Sequence, residues 1–431
     1  MKEIAPAPPP IVRNDVAAIQ AIFQQNVIPS YGRFDLVLTH GSGSYVFDIT
    51  GKRYLDLGGG IAVCSLGHSH PAITEALVDQ SRKLVHISNY YYNEPQGRLA
   101  QALVSLIGPG KCFFCNSGGE ANEGLFKLTR KFGHDEGRFE IITTINSFHG
   151  RTLAGIAATG QDKIRKSFEP IVPGFRHVPY NDLNAMRGAI SPATAAILIE
   201  GIQGEGGVTP ASPDYLLGLR SLCNERKLLL LMDGVQDGHF RTGRFQSYQR
   251  ILEASSTAQN DFMPDAISMA KSIGGGFPIG AFWVRAPYAD LLGAGSHGST
   301  YGGSPLACSV ALKVLEVIRR ENLAENARQI GEFFKQGLEK LAKTYPAMIG
   351  KVRGMGLMLG LELAPDLRTL PGDAGKTQAV RFANLLHAAG LLSIPAGANV
   401  LRFLPSLNLR QAEANEGLQI LGTIFADLSR A

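Results

Sequence analysis

Between about residues 110 and 285, short and largely apolar runs alternate with longer stretches whose apolar residues recur at helical spacing. The runs are Cys112–Cys115, Ile141–Ile145, Ala195–Ile199, Leu228–Met232 and Ala266–Ala270, with Ile279–Val284 shortly after the last. Runs this short that are apolar at successive positions predict strands buried on both faces. Their alternation with helices predicts βαβ units around a mostly parallel sheet, an α/β fold. Ala121, Leu125, Leu128 and Phe132 mark one buried helix face between the first two runs.

The flanks follow another pattern. Residues 11–65 predict a helix and then a hairpin, with Gly43–Ile49 and Lys52–Asp56 joined by a Thr50-Gly51 turn. From about residue 306, the spacing predicts helices over Leu306–Arg319, Asn326–Lys343 and Thr377–Ala389. A strand pair is expected over Gly356–Leu363, and a further segment over Asn399–Leu409. The expected organisation is a flexible leader over 1–10, a large domain over 66–318, and a smaller α+β domain combining 11–65 with 319–431.

Composition narrows the function. The 431 residues are 45% hydrophobic and 18% charged, enough for a sizeable core. No apolar stretch reaches the roughly 18 residues of a membrane span, and the Pro-rich start lacks the apolar centre of a signal peptide. Five cysteines, an odd number, point to a reducing cytoplasm rather than a disulfide framework. Cys112 and Cys115 form a lone CxxC with no second Cys pair or His cluster, so they read as structural cysteines and no metal site is expected. A net charge of +5 without a long basic run gives nucleic-acid binding little support.

In such sheets ligands sit beyond the carboxyl ends of the strands, and the polar residues of interest follow the apolar runs. Lys271 ends one of them and precedes Gly274-Gly275-Gly276. A lysine there must be paired, deprotonated or chemically used. Asp233 ends Leu228–Met232 and calls for a cationic or hydrogen-bonding partner. Asn116-Ser117-Gly118-Gly119-Glu120 opens a helix, whose free N–H groups and dipole suit a phosphate. Phe148 offers a face for a planar ring and Arg151 a fork for a carboxylate. His149 reads as a hydrogen-bonded packing histidine before a catalytic one. Glu200 and Glu205 resemble the paired acids of a glycosidase, a rival that leaves Lys271, Asp233 and the phosphate cradle unexplained. Ser299, Thr300 and Tyr301 offer hydroxyls before a helix, and Arg402 inside an apolar strand requires an anion. A lysine, an acid, a phosphate cradle and a stacking aromatic are the inventory that pyridoxal phosphate requires.

Through Asn116–Glu123, Phe148–Thr152, Gln203–Val208, Met269–Gly280 and Gly298–Pro305, the chain resembles the class III (acetylornithine/ornithine type) pyridoxal-phosphate aminotransferases. Gly60–Val63, Leu66-Gly67-His68 and Phe148–Thr152 resemble the acetylornithine branch. The resemblance implies the type I aminotransferase fold and a homodimer with shared active sites. It implies pyridoxal 5'-phosphate as cofactor, with Lys271 as its covalent attachment point and proton carrier, and Asp233 at its ring nitrogen. Phe148 and Val235 would enclose the ring, and Gln236 would contact its phenolic oxygen. Ser117, Gly118 and Gly119 would hold the phosphate, joined by Thr300 of a neighbouring subunit. Arg402 would bind the α-carboxylate of glutamate or 2-oxoglutarate, and Glu205 would neutralise Arg402 for other donors. Arg151, Ser299 and Tyr31 would contact the amino donor. The implied reaction moves the terminal amine of N2-acetyl-L-ornithine, or of a similar ω-amine, to 2-oxoglutarate. Ornithine, succinylornithine, succinyl-diaminopimelate and 4-aminobutyrate stay open as donors, as do aminomutase chemistry and a non-catalytic scaffold. Two departures stand out. The usual Asp-Glu-Val-Gln-Thr-Gly reads Asp233-Gly234-Val235-Gln236-Asp237-Gly238, and Gly201 stands where proline is usual.

Overall fold

The structure is a computed structural model that describes residues 16–253, 255, 262–365, 367 and 370–430. The expected leader over 1–10 lies outside the described residues. Seven strands form the central sheet: β1 (Gly110–Cys115), β2 (Glu140–Thr144), β3 (Phe175–Val178), β4 (Thr194–Glu200), β5 (Leu229–Asp233), β6 (Ala266–Met269) and β7 (Gly280–Arg285). Their spatial order is β1-β7-β6-β5-β4-β2-β3. Strands β2 to β6 pair in parallel, while β7 runs antiparallel to both β6 and β1. The mostly parallel α/β sheet read from the apolar runs is therefore the fold observed. Every residue of β4 and β5 is buried, as a sheet covered on both faces requires.

The two ends of the chain meet beside this sheet. Arg53–Asp56 pairs in parallel with Leu391–Leu392, Leu55 facing Leu391. A four-stranded antiparallel sheet joins Ile349–Met355, Met358–Leu363, Val400–Phe403 and Ile394–Ala396. Leu55, Leu57, Phe334, Phe382, Phe403 and Phe425 bury together in a second core. No helix among the described residues is long and apolar enough to cross a membrane.

Two differences from the sequence reading have local causes. Strand β3 was not expected, because Arg176 and His177 interrupt its apolar pattern; it survives as an edge strand. The strand pair expected over Gly356–Leu363 begins earlier, at Ile349, because Gly356 (φ 56°) forms the turn between its strands rather than the start of the first.

The helix Gly118–Gly133 presents its first turn to the strand ends only because it lies close on β7. A Cβ at Gly124 would come within 2.2 Å of the Phe282 ring. Gly124→Ala gains about 1 kcal/mol of helix propensity, but the clash costs about 1–3 kcal/mol through displacement of a rigid aromatic. The clash should win, lowering the denaturant midpoint measured by circular dichroism.

Candidate active site

Where β1, β2, β4, β5 and β6 end, the loops enclose a cavity of about 350 Å³. Lys271, Asp233, Phe148, Val235, Gln236 and Glu205 line it, together with Ser117, Gly118 and Gly119. Nine residues singled out far apart in sequence thus share one space.

Lys271 follows β6 with φ of +50°, a left-handed conformation rare for a residue with a Cβ. Its turn is pinned at Ser272, whose carbonyl accepts from Ser65 Oγ at 2.9 Å and whose Oγ lies 3.1 Å from His239 Nδ1. The side chain is partly open to the cavity, yet burial pulls the amine below the ordinary lysine pKa. The nearby Glu205, Asp233 and Glu200 only partly offset that burial and the Arg402 charge.

Asp233 and Glu200 face each other in register at the ends of β5 and β4, and their environments diverge. Asp233 Oδ2 lies 2.8 Å from both His149 Nδ1 and Asn122 Nδ2, and Val235 N–H donates to Oδ1 at 3.1 Å. Burial pushes this carboxyl up, but those donors and the His149 charge hold it below the usual range. Glu200 receives N–H bonds from Phe148 (2.9 Å) and Gly204 (3.0 Å). Burial and the neighbouring Asp233 charge outweigh them and push Glu200 well above the usual range.

Ser117 is the N-cap of the helix Gly118–Gly133, its Oγ accepting from Glu120 N–H at 3.2 Å. The N–H groups of Gly118 and Gly119 lie in the first turn, where no intrahelical acceptor exists. A cavity with these donors at one wall, a buried acid–histidine pair at another and an amine between them fits pyridoxal phosphate.

Arg402, 1% exposed, donates from Nη1 to Glu205 Oε1 and Gln236 Oε1, both at 2.8 Å, and from Nη2 to Pro395 O at 3.3 Å. Burial raises the Glu205 carboxyl, but the Arg402 charge prevails and holds it low. Ser299 reaches the cradle indirectly, its Oγ accepting from Asn116 Nδ2 at 3.2 Å. Arg151, Thr300 and Tyr31 are exposed and do not line this cavity.

The structure gives His149 a closer role than the sequence suggested, since its partner Asp233 lies 84 positions away. Asn122 was not singled out at all; a polar residue beside Ala121 and one turn before Leu125, on the buried side of the helix, was the available signal.

The family described as "Aminotransferase class-III" matches residues 27–425. An acetylornithine aminotransferase of Gloeobacter violaceus is 43% identical over 413 residues, covering 95% of this chain and 98% of its own. A Pseudomonas aeruginosa relative named succinylornithine transaminase/acetylornithine aminotransferase is 41% identical over 414 residues, 95% of this chain and 98% of its own. Among solved structures, the ornithine aminotransferase of Toxoplasma gondii, with partial occupancy of PLP at its active site, superposes with a TM-score of 0.88. It is 30% identical, covering 97% of this chain and 96% of its own.

The wall behind Lys271 generates a pH prediction. Burial and the Arg241 charge lower His239 to about 3. Below its ordinary value, the unfolded chain takes up a proton that the folded chain refuses, so stability present above about pH 6.5 is lost as pH falls toward 3. His239→Asn keeps a polar group opposite Ser272 and removes the titration. Between pH 7.5 and 5, wild type should lose about 2 kcal/mol more than this variant in urea unfolding.

Proposed function

The chain belongs to the class III aminotransferases, and on that premise we propose that it transfers the terminal amine of N2-acetyl-L-ornithine to 2-oxoglutarate, giving a semialdehyde and L-glutamate. The reaction is of the arginine-biosynthesis type, carried out in the cytoplasm by a homodimer. The observation that carries this reading is the Arg402–Glu205 pair. Arg402 is a fixed buried cation, while Glu205 has a side chain 28% exposed and can leave it. A dicarboxylate substrate supplies its own anion to Arg402; a donor that presents only a terminal amine there needs Glu205 to stay.

The family is dependent on pyridoxal phosphate. When bound, the cofactor supplies an electrophilic carbon for the amine and an electron-withdrawing ring for the substrate's reacting carbon. Ser117, Gly118 and Gly119 would hold its phosphate, with Phe148 and Val235 enclosing the ring and Gln236 beside the phenolic oxygen. Asp233, kept ionised by His149 and Asn122, would hold a proton on the ring nitrogen. Lys271 would anchor the cofactor covalently and, with its amine released, take up and return a proton at Nζ. Its depressed pKa raises the free-base fraction near neutrality. Arg151 and Ser299 would contact the acylated donor, with Tyr31 further out. Thr300 would complete the phosphate site of a second subunit, a role its exposed position supports. Tyr90 and Tyr92, 94% and 106% exposed, lie near that loop through Asn89 and support the same assembly.

The Pseudomonas aeruginosa relative's double name favours a second reading, with succinylornithine as an additional donor. Half-reactions followed by absorbance against N-acetylornithine, succinylornithine, ornithine and 4-aminobutyrate decide between them. N-acetylornithine should react fastest, and a faster rate with free ornithine would reverse the assignment. Lys271→Ala should abolish turnover. Arg402→Ala should raise KM for glutamate and 2-oxoglutarate roughly 10–100-fold while changing cofactor affinity far less. Equal losses for substrate and cofactor would remove Arg402 from the role.

A further inference from the structure

The turn carrying Glu205 is held by an acid that the aminotransfer reaction itself does not require. Asp237 is 1% exposed. Its Oδ2 accepts from Ile202 N–H at 2.8 Å and from the Ser247 hydroxyl, while Oδ1 has no partner on another residue among the described residues. Ile202 stands at the start of the turn that ends in Glu205. Glu200 holds the same turn at Gly204 N–H, and Gln203 Nε2 anchors it to Thr144 Oγ1 (3.0 Å) and Ile145 O (2.9 Å). The turn lies close on Gln236, since a Cβ at Gly204 would come within 2.2 Å of Gln236 Oε1. Consecutive residues therefore hold the turn and the partner of its last residue, Asp237 at Ile202 and Gln236 at Arg402.

The room for this clamp comes from two glycines. A Cβ at Gly201 would lie 2.1 Å from Ser247 Oγ and 2.9 Å from Asp237 Oδ2, and one at Gly234 would lie 2.3 Å from Gln246 Oε1. Positions 201, 234 and 237 are the departures noted in the sequence analysis. In the fold they meet in one packed cluster with Gln246 and Ser247.

We propose that Asp237 is a positioning residue that fastens the Glu205 turn, keeping Glu205 seated on Arg402 while a terminal-amine donor occupies the site. This rests on the two-substrate reading given above. Glutamate displaces Glu205 from Arg402, so its half-reaction does not depend on how firmly the turn is held; the terminal-amine half-reaction does. The charged and titratable groups facing Asp237 are Asp233 on β5, Glu200 on β4 and Tyr180, whose hydroxyl donates to Glu200 O at 2.7 Å. Burial chiefly, with the Asp233 charge, raises Asp237 to about 7. Its hold on Ile202 N–H therefore strengthens as the carboxyl ionises around neutral pH.

The test is the ratio of two single-turnover rates of the holoenzyme, N-acetylornithine over glutamate. Titrations of Lys271 and Asp233, common to both half-reactions, cancel in this ratio. Asp237→Ala should lower the ratio about tenfold, chiefly through the N-acetylornithine arm. Asp237→Asn, which keeps an acceptor for Ile202 N–H, should stay within about threefold of wild type. The wild-type ratio should rise between pH 6 and 8, and the asparagine variant's ratio should stay flat. Should the alanine protein fail to accumulate, Asp237→Ser, whose side chain is a bond shorter, is expected to show the same loss. Equal slowing of both arms, or an asparagine variant as impaired as alanine, would overturn the proposal. A wild-type holoenzyme without either half-reaction would overturn the two-substrate reading and this proposal with it.

Discussion

Two carboxyl groups buried side by side at the ends of neighbouring parallel strands are the constraint around which this site is organised. The register of β4 and β5 sets Glu200 against Asp233, and two ionised acids at that spacing in a dry interior repel strongly. The molecule resolves the conflict unequally. Asp233 takes the imidazole of His149 and the amide of Asn122 and stays charged. Glu200 has only backbone donors and is pushed toward its neutral form. Pushing paired acids apart in this way assigns them different work: one keeps a fixed negative charge in the cavity, the other ties the 200–204 turn to Phe148 without adding a second.

Much of this was legible in the sequence because apolar runs end abruptly in polar residues. Asp233 after five apolar positions and Lys271 after a buried strand were found that way, and both line the cavity. The Ser117 cradle was legible for the same reason, a strand followed by small residues and an apolar helix face. What escaped depends on pairings that no local pattern encodes. His149 looked like one packing histidine among ten, since only the fold brings it to Asp233. Edge strand β3 escaped because partial exposure breaks the continuous apolar run that marks the central strands. Tyr31 came from the resemblance alone, while Arg151 and Thr300 were read as polar groups beside a strand end and a helix start; the exposure of all three in one chain agrees with the absence of any burial signal around them.

Lys271 illustrates how strain is maintained. A left-handed backbone at a residue with a Cβ costs roughly 1–3 kcal/mol, so surrounding contacts must over-determine it. Ser272 is held by Ser65 from one side and His239 from the other, and buried Ile273 follows. The glycines after it relieve the turn, Gly275 and Gly276 both taking positive φ. His239 stays neutral in this role, because burial and the neighbouring Arg241 charge both disfavour its protonation. The support for the lysine and the acid sensitivity of that wall therefore have one cause.

The site also draws on two sheets. Its lysine, acids and cradle belong to the central sheet, whereas Arg402 comes from the strand Val400–Phe403, paired with Gly360 and Ile394 in the other sheet. An arginine buried to this degree is destabilising by about 3–5 kcal/mol if its anion is removed and nothing replaces it. Gln236 Oε1 and Pro395 O supply neutral acceptors, which soften that cost but carry no full charge. Glu205 is the more exposed partner and sits on a turn, so it is the member of the pair that can move. Exchange of one carboxylate for another leaves the guanidinium paired throughout, whereas an uncharged ligand group at Arg402 leaves Glu205 as its only anion. Selectivity at this seam thus follows from how firmly the 200–205 turn is held. That firmness is set on the sheet side, at Asp237, the residue after the Gln236 that accepts from Arg402.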